Sequence, residues 1–402
     1  MKPDLSRRQF LVHSASVAGA LGLSGRTASA AADVEPLRLG FIGLGDRGRH
    51  LLNALLRLQA DNLLPRVTIT ALSDVHPERL KRALETVKQS GQANEVRSDP
   101  STVCSSDDNL PPVRGFSNYR ALLDSHSVDA VFVATPVHLH GQQATLALHA
   151  GKHLYLEKPL AASVAECEEL RTTVLEAEQK GTLFQIGLQR RYNPRYERSI
   201  RHLTDGAMGK PLFIRAQWHA TGDSRKSKPW IFRREKSGDI VVEQACHQFD
   251  IFNWVFDAEP ERMCGFGGTH SIGDQPPGRD TMDHYGLVIE YPGGAKVNFS
   301  HLSFAVPDRR FSGIYELVFT ADGGIDLANA QVWSRVGESR RLETPSGNDT
   351  QIAIASFVDS IRRRERPLAD IEIAYRATLT SLLGQRALDV GGTVSWQDLQ
   401  QV

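Results

Sequence analysis

The segment that most restricts what this chain can become is "LRLGFIGLGDRGRHLLNALLRL", Leu37 to Leu58. Leu37 to Ile42 is an apolar run interrupted only by Arg38 and Gly40. Such a run suits a strand buried on both faces, as in a parallel sheet. Gly43, Gly45 and Gly48 follow as GxGxxG, and Leu51, Leu52, Leu55 and Leu56 then mark one face of a helix. Between a strand and a helix, the first glycine permits a tight turn and the second lets the backbone approach a pyrophosphate. The third lets helix and strand pack closely. The helix N-terminus turns unpaired N–H groups toward the phosphates. Gly43, Leu44, Gly45, Asp46, Arg47 and Gly48 are therefore expected to hold a dinucleotide.

The same alternation continues. "VTITALSD" (Val67 to Asp74) reads as a second strand, with a helix opening near Pro77. "VDAVFVAT" (Val128 to Thr135) reads as a third, with a helix from about His140 to Ala150, and "GKHLYLE" as a fourth. Strands alternating with helices predict a doubly wound α/β domain of Rossmann type, over residues 35–160. The polar stretch from Lys88 to Arg114 has no period and reads as a surface insertion. After Pro159 the pattern changes. A helix is expected from Val164 to Lys180, then strand-like alternation in "LFIRAQW", "HYGLVIEY", "AKVNFSHLSF" and "YELVFTA", with "YPGGA" as a hairpin turn. One helix is expected from Asp239 to Phe256, and two more at the end, from about Thr350 to Arg364 and Ile371 to Leu388. Residues 161–402 thus predict an α+β domain with a largely antiparallel sheet, suited to holding substrate and to oligomerisation.

Asp74 ends the second strand, somewhat further past the glycines than the usual spacing of about 20 residues. An acid there meets the adenosine ribose hydroxyls and repels a 2′-phosphate, which favours NAD; Arg47 or Arg79 leaves NADP possible. The competing role for Asp74 is to support the turn. Thr135, Pro136 and His138 follow the third strand, in the crevice where ligands bind in such sheets.

The first thirty residues stand outside this pattern. Arg7 and Arg8 precede an apolar stretch, "SVAGALGLSG", and then "ASA" at Ala28 to Ala30. That order is expected of a signal peptide over residues 1–30, and the paired arginines with Phe10 and Leu11 point to the twin-arginine route, hence to a periplasmic or secreted protein. The apolar run is too short and glycine-rich for a stable membrane span. Lys+Arg and Asp+Glu balance at 47 each. That argues against nucleic acid as the main partner, because phosphate binding needs a basic surplus. The four cysteines, Cys104, Cys167, Cys246 and Cys264, show no CxxC spacing, so no metal site is expected.

Four motifs in order, "GFIGLGDRG", "ATPVHLHGQQATLALHAGKHLYLEKPLA", "IGLQRRYNP" and "GDIVVEQACHQFDIFNW", resemble the Gfo/Idh/MocA family, of glucose–fructose oxidoreductase and inositol dehydrogenase type. The resemblance covers nearly the whole chain after the signal. It implies a Rossmann domain followed by an open-faced, largely antiparallel sheet. It also implies NAD(P)-dependent chemistry on a sugar, polyol or related carbohydrate. In such enzymes the lysine of EKP, here Lys158, lies beside the nicotinamide and contacts the reacting hydroxyl. A lysine there can exchange a proton or donate a hydrogen bond to a developing alkoxide. The resemblance further implies that Glu157 helps hold the cofactor side, and that Pro159 fixes the turn presenting Lys158, with a cis bond as one option.

Glu243 and His247 lie four apart on the expected helix and so share a face. The family commonly has aspartate where this chain has Glu243, and its histidine reaches the substrate hydroxyl. The resemblance places Asp250 near substrate, as the group orienting His247, or as the cap of a structural hydrogen bond, and Arg191 near substrate or nicotinamide. Tyr192 and Trp230 are candidates for stacking on a sugar, with a core role equally open. The expected function is an NAD(P)-dependent oxidoreductase acting on a secondary alcohol or ketone of a small carbohydrate, in a homo-oligomer. The alternative is an exported glycoside hydrolase using retained NAD in a redox-neutral cycle.

Overall fold

The computed structural model describes residues 36–91, 96–97, 112–221, 228–269 and 277–399. The expected signal peptide and most of the polar insertion lie outside these residues. The first sheet contains β1 (Leu37–Ile42), β2 (Val67–Ser73), β3 (Val96–Arg97), β4 (Val113–Phe116), β5 (Ala130–Val133), β6 (His153–Leu156) and β7 (Phe184–Ile186). Their order is β3-β4-β2-β1-β5-β6-β7, and every pairing is parallel. The chain reverses direction across the sheet between β1 and β5. The Gly-rich turn and Thr135 both emerge there, at the switch point where such sheets bind ligands.

Helices Asp46–Ala60, Pro77–Gln89, Tyr119–Asp124, His140–His149 and Val164–Gln179 connect the strands. Because β7 pairs with β6, the sheet runs on to Ile186, past residue 160 where the sequence pattern changes. Its core is completed from far along the chain. Phe41 stacks on Phe132 at 4.7 Å, and Phe357 packs edge-on against Phe132 and Tyr155 at 5.5 and 5.7 Å. Phe357 belongs to the helix Asp349–Arg363, whose Ile354 and Val358 join the same core.

The second sheet has nine strands: β8 (Pro211–His219), β9 (Arg262–Gly268), β10 (His284–Tyr291), β11 (Ala295–Leu302), β12 (Gly313–Thr320), β13 (Gly323–Asp326), β14 (Gln331–Ser334), β15 (Ser339–Arg341) and β16 (Thr393–Ser395). The order is β15-β14-β13-β12-β8-β11-β10-β9-β16, antiparallel except for the β8–β11 pair. "YPGGA" turns β10 into β11 as expected. The inner face packs under the helices Cys246–Phe256 and Ile371–Val390, where Phe249 and Phe252 meet Phe299 of β11. On the outer face the register places Phe213 opposite Phe319, with Val288 and Phe266 on neighbouring strands, all exposed. Among the described residues no helix is long and apolar enough to cross a membrane.

One expected helix differs. The segment from Asp239 to Phe256 is two helices, Ile240–Glu243 and Cys246–Phe256. The second restarts at Ala245, whose carbonyl accepts from the N–H of Gln248 and Phe249.

Candidate active site

The Gly-rich turn is shaped by what it must avoid. Gly43 has φ of +87°, and a Cβ there would lie 2.7 Å from Thr135 Cγ2. A Cβ on Gly48 would lie 1.8 Å from Gly43 O, so no side chain fits where this helix crosses the turn. Gly48 thus acts in packing and does not face the cleft. Gly45 does face it: a Cβ there would meet only Arg79 Nη1, at 3.8 Å, and would occupy the space a ligand's phosphates need. Gly45 is also the N-cap and supplies no side-chain bond, so first-turn N–H groups remain for an anion. The helix end, the open approach at Gly45 and the acid at Asp74 fit a nicotinamide dinucleotide.

Asp74 has two tasks. Its Oδ2 accepts from Leu44 N at 2.7 Å and its Oδ1 from His76 N at 2.8 Å, which fastens the Gly-rich turn to the end of β2. Each carboxylate oxygen has a second lone pair, and Asp74 lines the cleft, so ribose hydroxyls can still be bound. The side chain of Leu44 is in the core, and only its main chain belongs to the site.

The EKP turn follows β6. Glu157 is buried and accepts from Arg47 Nε at 2.6 Å, and Arg47 Nη1 reaches Thr350 Oγ1 at 3.4 Å. The Lys158–Pro159 bond is cis. Lys158 Nζ donates to Glu243 O at 2.5 Å and to Glu243 Oε1 at 3.1 Å. In an unbroken helix that carbonyl would accept from His247 N–H four residues on. Lys158 Nζ bonds this carbonyl where the two helices meet. Glu243 and His247 stand on two helical segments, and both line the cleft with Lys158.

His247 is only 6% exposed, and its Nδ1 has no hydrogen-bond partner among the described residues. Burial, then the cations Lys158, Arg190 and Arg47, hold its pKa well below the ordinary value. The ring is neutral at neutral pH and can accept a proton. Asp46, Arg47, Thr135, Pro136, His138 and Trp230 also line the cleft, which encloses about 780 Å³, within the range of ligand clefts. Thr135 Oγ1 donates to Gln143 Oε1 at 2.6 Å.

Three expected site residues lie elsewhere. Arg191 and Asp250 form a buried bidentate pair, with Nε–Oδ2 at 3.0 Å and Nη2–Oδ1 at 2.7 Å, and the guanidinium lies over Trp254. Neither lines the cleft, and Asp250 is spent on Arg191 rather than on the imidazole of His247. Tyr192 is core: its hydroxyl accepts from Ala369 N at 3.2 Å, and burial raises its pKa. Other residues escaped the sequence reading. Lys228, Arg233 and Lys236 reach the cleft from a connection with no periodic signal. His140, two residues after His138, faces the main-chain oxygens of Pro159 and Thr135.

Comparison with known proteins agrees with this architecture. Residues 37–187 match a family model described as "Oxidoreductase family, NAD-binding Rossmann fold", and residues 196–323 match the "GFO/IDH/MocA C-terminal domain". A scyllo-inositol 2-dehydrogenase (NAD(+)) of Bacillus subtilis is 30% identical over 43% of this chain and 48% of its own length. A 1,5-anhydro-D-fructose reductase of Ensifer adhaerens is 26% identical over 69% of this chain and 83% of its own. The match thus spans about half the length of the first of these relatives. A levoglucosan dehydrogenase structure, in complex with NADH and L-sorbose, superposes with a TM-score of 0.74 at 18% identity, covering 90% of this chain and all of the other, which shows a common fold. A myo-inositol 2-dehydrogenase from Lactobacillus plantarum does so with a TM-score of 0.71, also at 18% identity, covering 90% of this chain and 99% of the other. With a nucleotide cradle at the switch point, a nine-stranded sheet behind it, and both domains matched by models of one family, the chain belongs to the Gfo/Idh/MocA family of NAD-binding oxidoreductases.

Proposed function

We propose that this protein is an NAD-dependent dehydrogenase or reductase of a small sugar or polyol, acting on a secondary alcohol or its ketone. The observation that carries the reading is the meeting of Lys158, Glu243 and neutral His247 in the same cleft as the Gly-rich turn. NAD, when bound, supplies the hydride acceptor. The chain supplies the rest. Gly45 and the helix end at Asp46 hold the phosphates, and Asp74 holds the adenosine ribose. His247 accepts the hydroxyl proton, while Lys158 donates a hydrogen bond to the oxygen as negative charge builds there. Glu243 fixes Lys158 from the other domain. Trp230 offers an aromatic face to the substrate.

The relatives named above are dehydrogenases and a reductase of cyclic polyols and sugars, which favours net redox chemistry over the hydrolytic alternative. The acid at Asp74 favours NAD over NADP. The twin-arginine pattern supports export to the periplasm or beyond. The exposed row of Phe213, Phe319, Val288 and Phe266 supports pairing of two copies through the second sheet.

The test is a panel of inositols, aldoses and anhydrosugars, with NAD⁺ reduction followed by absorbance. Turnover of one of them by the wild type, abolished in Lys158→Ala, is the expected result. A panel without turnover, from protein shown to bind NAD, would overturn the reading.

A further inference from the structure

One polar atom in the cleft has no task in hydride or proton transfer. Among the described residues that line it, Arg47 Nη2, His247 Nδ1 and Gln189 Oε1 are buried and have no hydrogen-bond partner. Arg47 and His247 have roles on the cofactor side and in proton transfer; Gln189 has none. Gln189 opens the short 3₁₀ turn Gln189–Tyr192 that follows β7. That turn is fastened from both sides. Arg190 Nη1 donates to Glu316 Oε1 of β12 at 2.8 Å, and Arg191 Nη2 to Asp250 Oδ1 at 2.7 Å. Just before it, Gly187 is pressed against the EKP turn: its N–H donates to Leu156 O at 2.7 Å, and a Cβ there would lie 2.7 Å from Glu157 Cδ. The backbone under Gln189 is thus fixed beside the turn that presents Lys158.

An amide oxygen only accepts, so the group that completes it is a donor. A buried acceptor left bare costs free energy, and such atoms are normally satisfied. The sheet order shows which part of a ligand can reach it. In β1-β5-β6-β7 the Gly-rich turn follows β1, Lys158 follows β6 and Gln189 follows β7. Neighbouring strands lie about 4.8 Å apart, so Gln189 stands one strand beyond Lys158 and about 14 Å of sheet from the nucleotide cradle. It faces the ligand on the far side of the reacting hydroxyl from the phosphates. We infer that Gln189 is a specificity-determining residue, whose Oε1 accepts a hydrogen bond from a second hydroxyl of the substrate. The inference rests on the dehydrogenase reading, which places the reacting hydroxyl at Lys158 and His247. A compound with a single secondary alcohol would leave the amide oxygen bare, and the site discriminates against it.

The test uses Gln189→Met, which keeps an unbranched side chain and removes the acceptor. Without ligand the variant should melt no lower than the wild type in calorimetry, because a bare buried acceptor has been taken away. A clear fall in melting temperature, or a variant that does not fold, makes Gln189 a structural residue and overturns the assignment. This readout needs no turnover. The second readout takes the inositol, aldose or anhydrosugar that the wild type turns over best, together with its monodeoxy derivatives. In the wild type, removing one particular hydroxyl should lower kcat/KM by about 10-fold or more. In Gln189→Met the parent compound should lose about that factor, the same deoxy derivative should be turned over about as well as the parent, and NAD affinity should be unchanged. Equal discrimination by the two proteins overturns the assignment and leaves the dehydrogenase reading standing. A loss of NAD affinity overturns it as well, since Gln189 would then serve the nicotinamide. A wild type that turns over none of these compounds overturns both.

Discussion

The ammonium of Lys158 is bonded to both the main-chain oxygen and the carboxylate of Glu243, at 2.5 and 3.1 Å. A side chain from the turn after β6 thus meets the junction of two helices in the second domain. Lys158→Ala should cut turnover by about 10²-fold or more, with a modest effect on NAD affinity. Glu243→Gln keeps the carbonyl contact and should cost less. Steady-state kinetics and NAD titration of both variants check the ranking, and a larger loss in Glu243→Gln would refute it.

His247→Asn keeps a polar side chain but removes the proton acceptor. Turnover should fall by about 10²-fold or more while NAD binding is retained. Combined with Lys158→Ala, the loss should be smaller than the product of the single losses, since both groups serve one proton transfer. A large loss of NAD binding in His247→Asn would place that helix in the cofactor site instead.

The low pKa of His247 also sets a direction for stability. The folded protein holds this ring neutral, whereas the unfolded chain protonates it near pH 6.5. The unfolded state therefore binds the extra proton first, and His247 costs stability as pH falls below about 6.5. Above that value its contribution is full. The acid slope of the melting temperature, measured by calorimetry, should be shallower in His247→Asn than in the wild type.

Asp74→Ala should act twice. It leaves the buried Leu44 N–H without its acceptor, at a cost of about 1–3 kcal/mol, and it weakens NAD more than NADP. Chemical denaturation measures the first effect and paired titrations the second. Equal losses for the two cofactors would mean that Asp74 supports the turn and does not read the ribose.

Arg191 and Asp250 should behave as structure. Burial raises the pKa of Asp250 while Arg191 lowers it, and removing one partner strands the other's charge. Asp250→Leu should cost about 3–5 kcal/mol, and Arg191→Met combined with Asp250→Leu should recover part of it. NAD affinity of the surviving folded protein should be unchanged in both.

The parts of this molecule readable in sequence are those governed by local rules. β1 was readable to the residue, because a buried parallel strand is continuous and the glycines bound it. Gly43 and Gly48 were readable because no other residue fits their contacts. The break after Glu243 was not, because no glycine or proline marks it and the side chain that meets it lies 85 residues earlier. Arg191 and Asp250 pair across 59 residues, and nothing local distinguishes an arginine aimed at a ligand from one aimed at a buried acid. His140 and His138 are two apart in a motif of tight spacing, and only the fold turns one to the cleft and the other to two carbonyls.

The helix Asp349–Arg363 has a consequence for the order of events during synthesis. The ribosome finishes the last strand of the first sheet at Ile186, but Ile354, Phe357 and Val358, which cover Phe132 and Tyr155, are still to be made. At ~5–20 residues per second that wait is on the order of ten to thirty seconds. For that interval the nascent nucleotide domain carries a bare aromatic face, and it is then that a chaperone would find it. The domain is first in sequence and among the last to be complete in time.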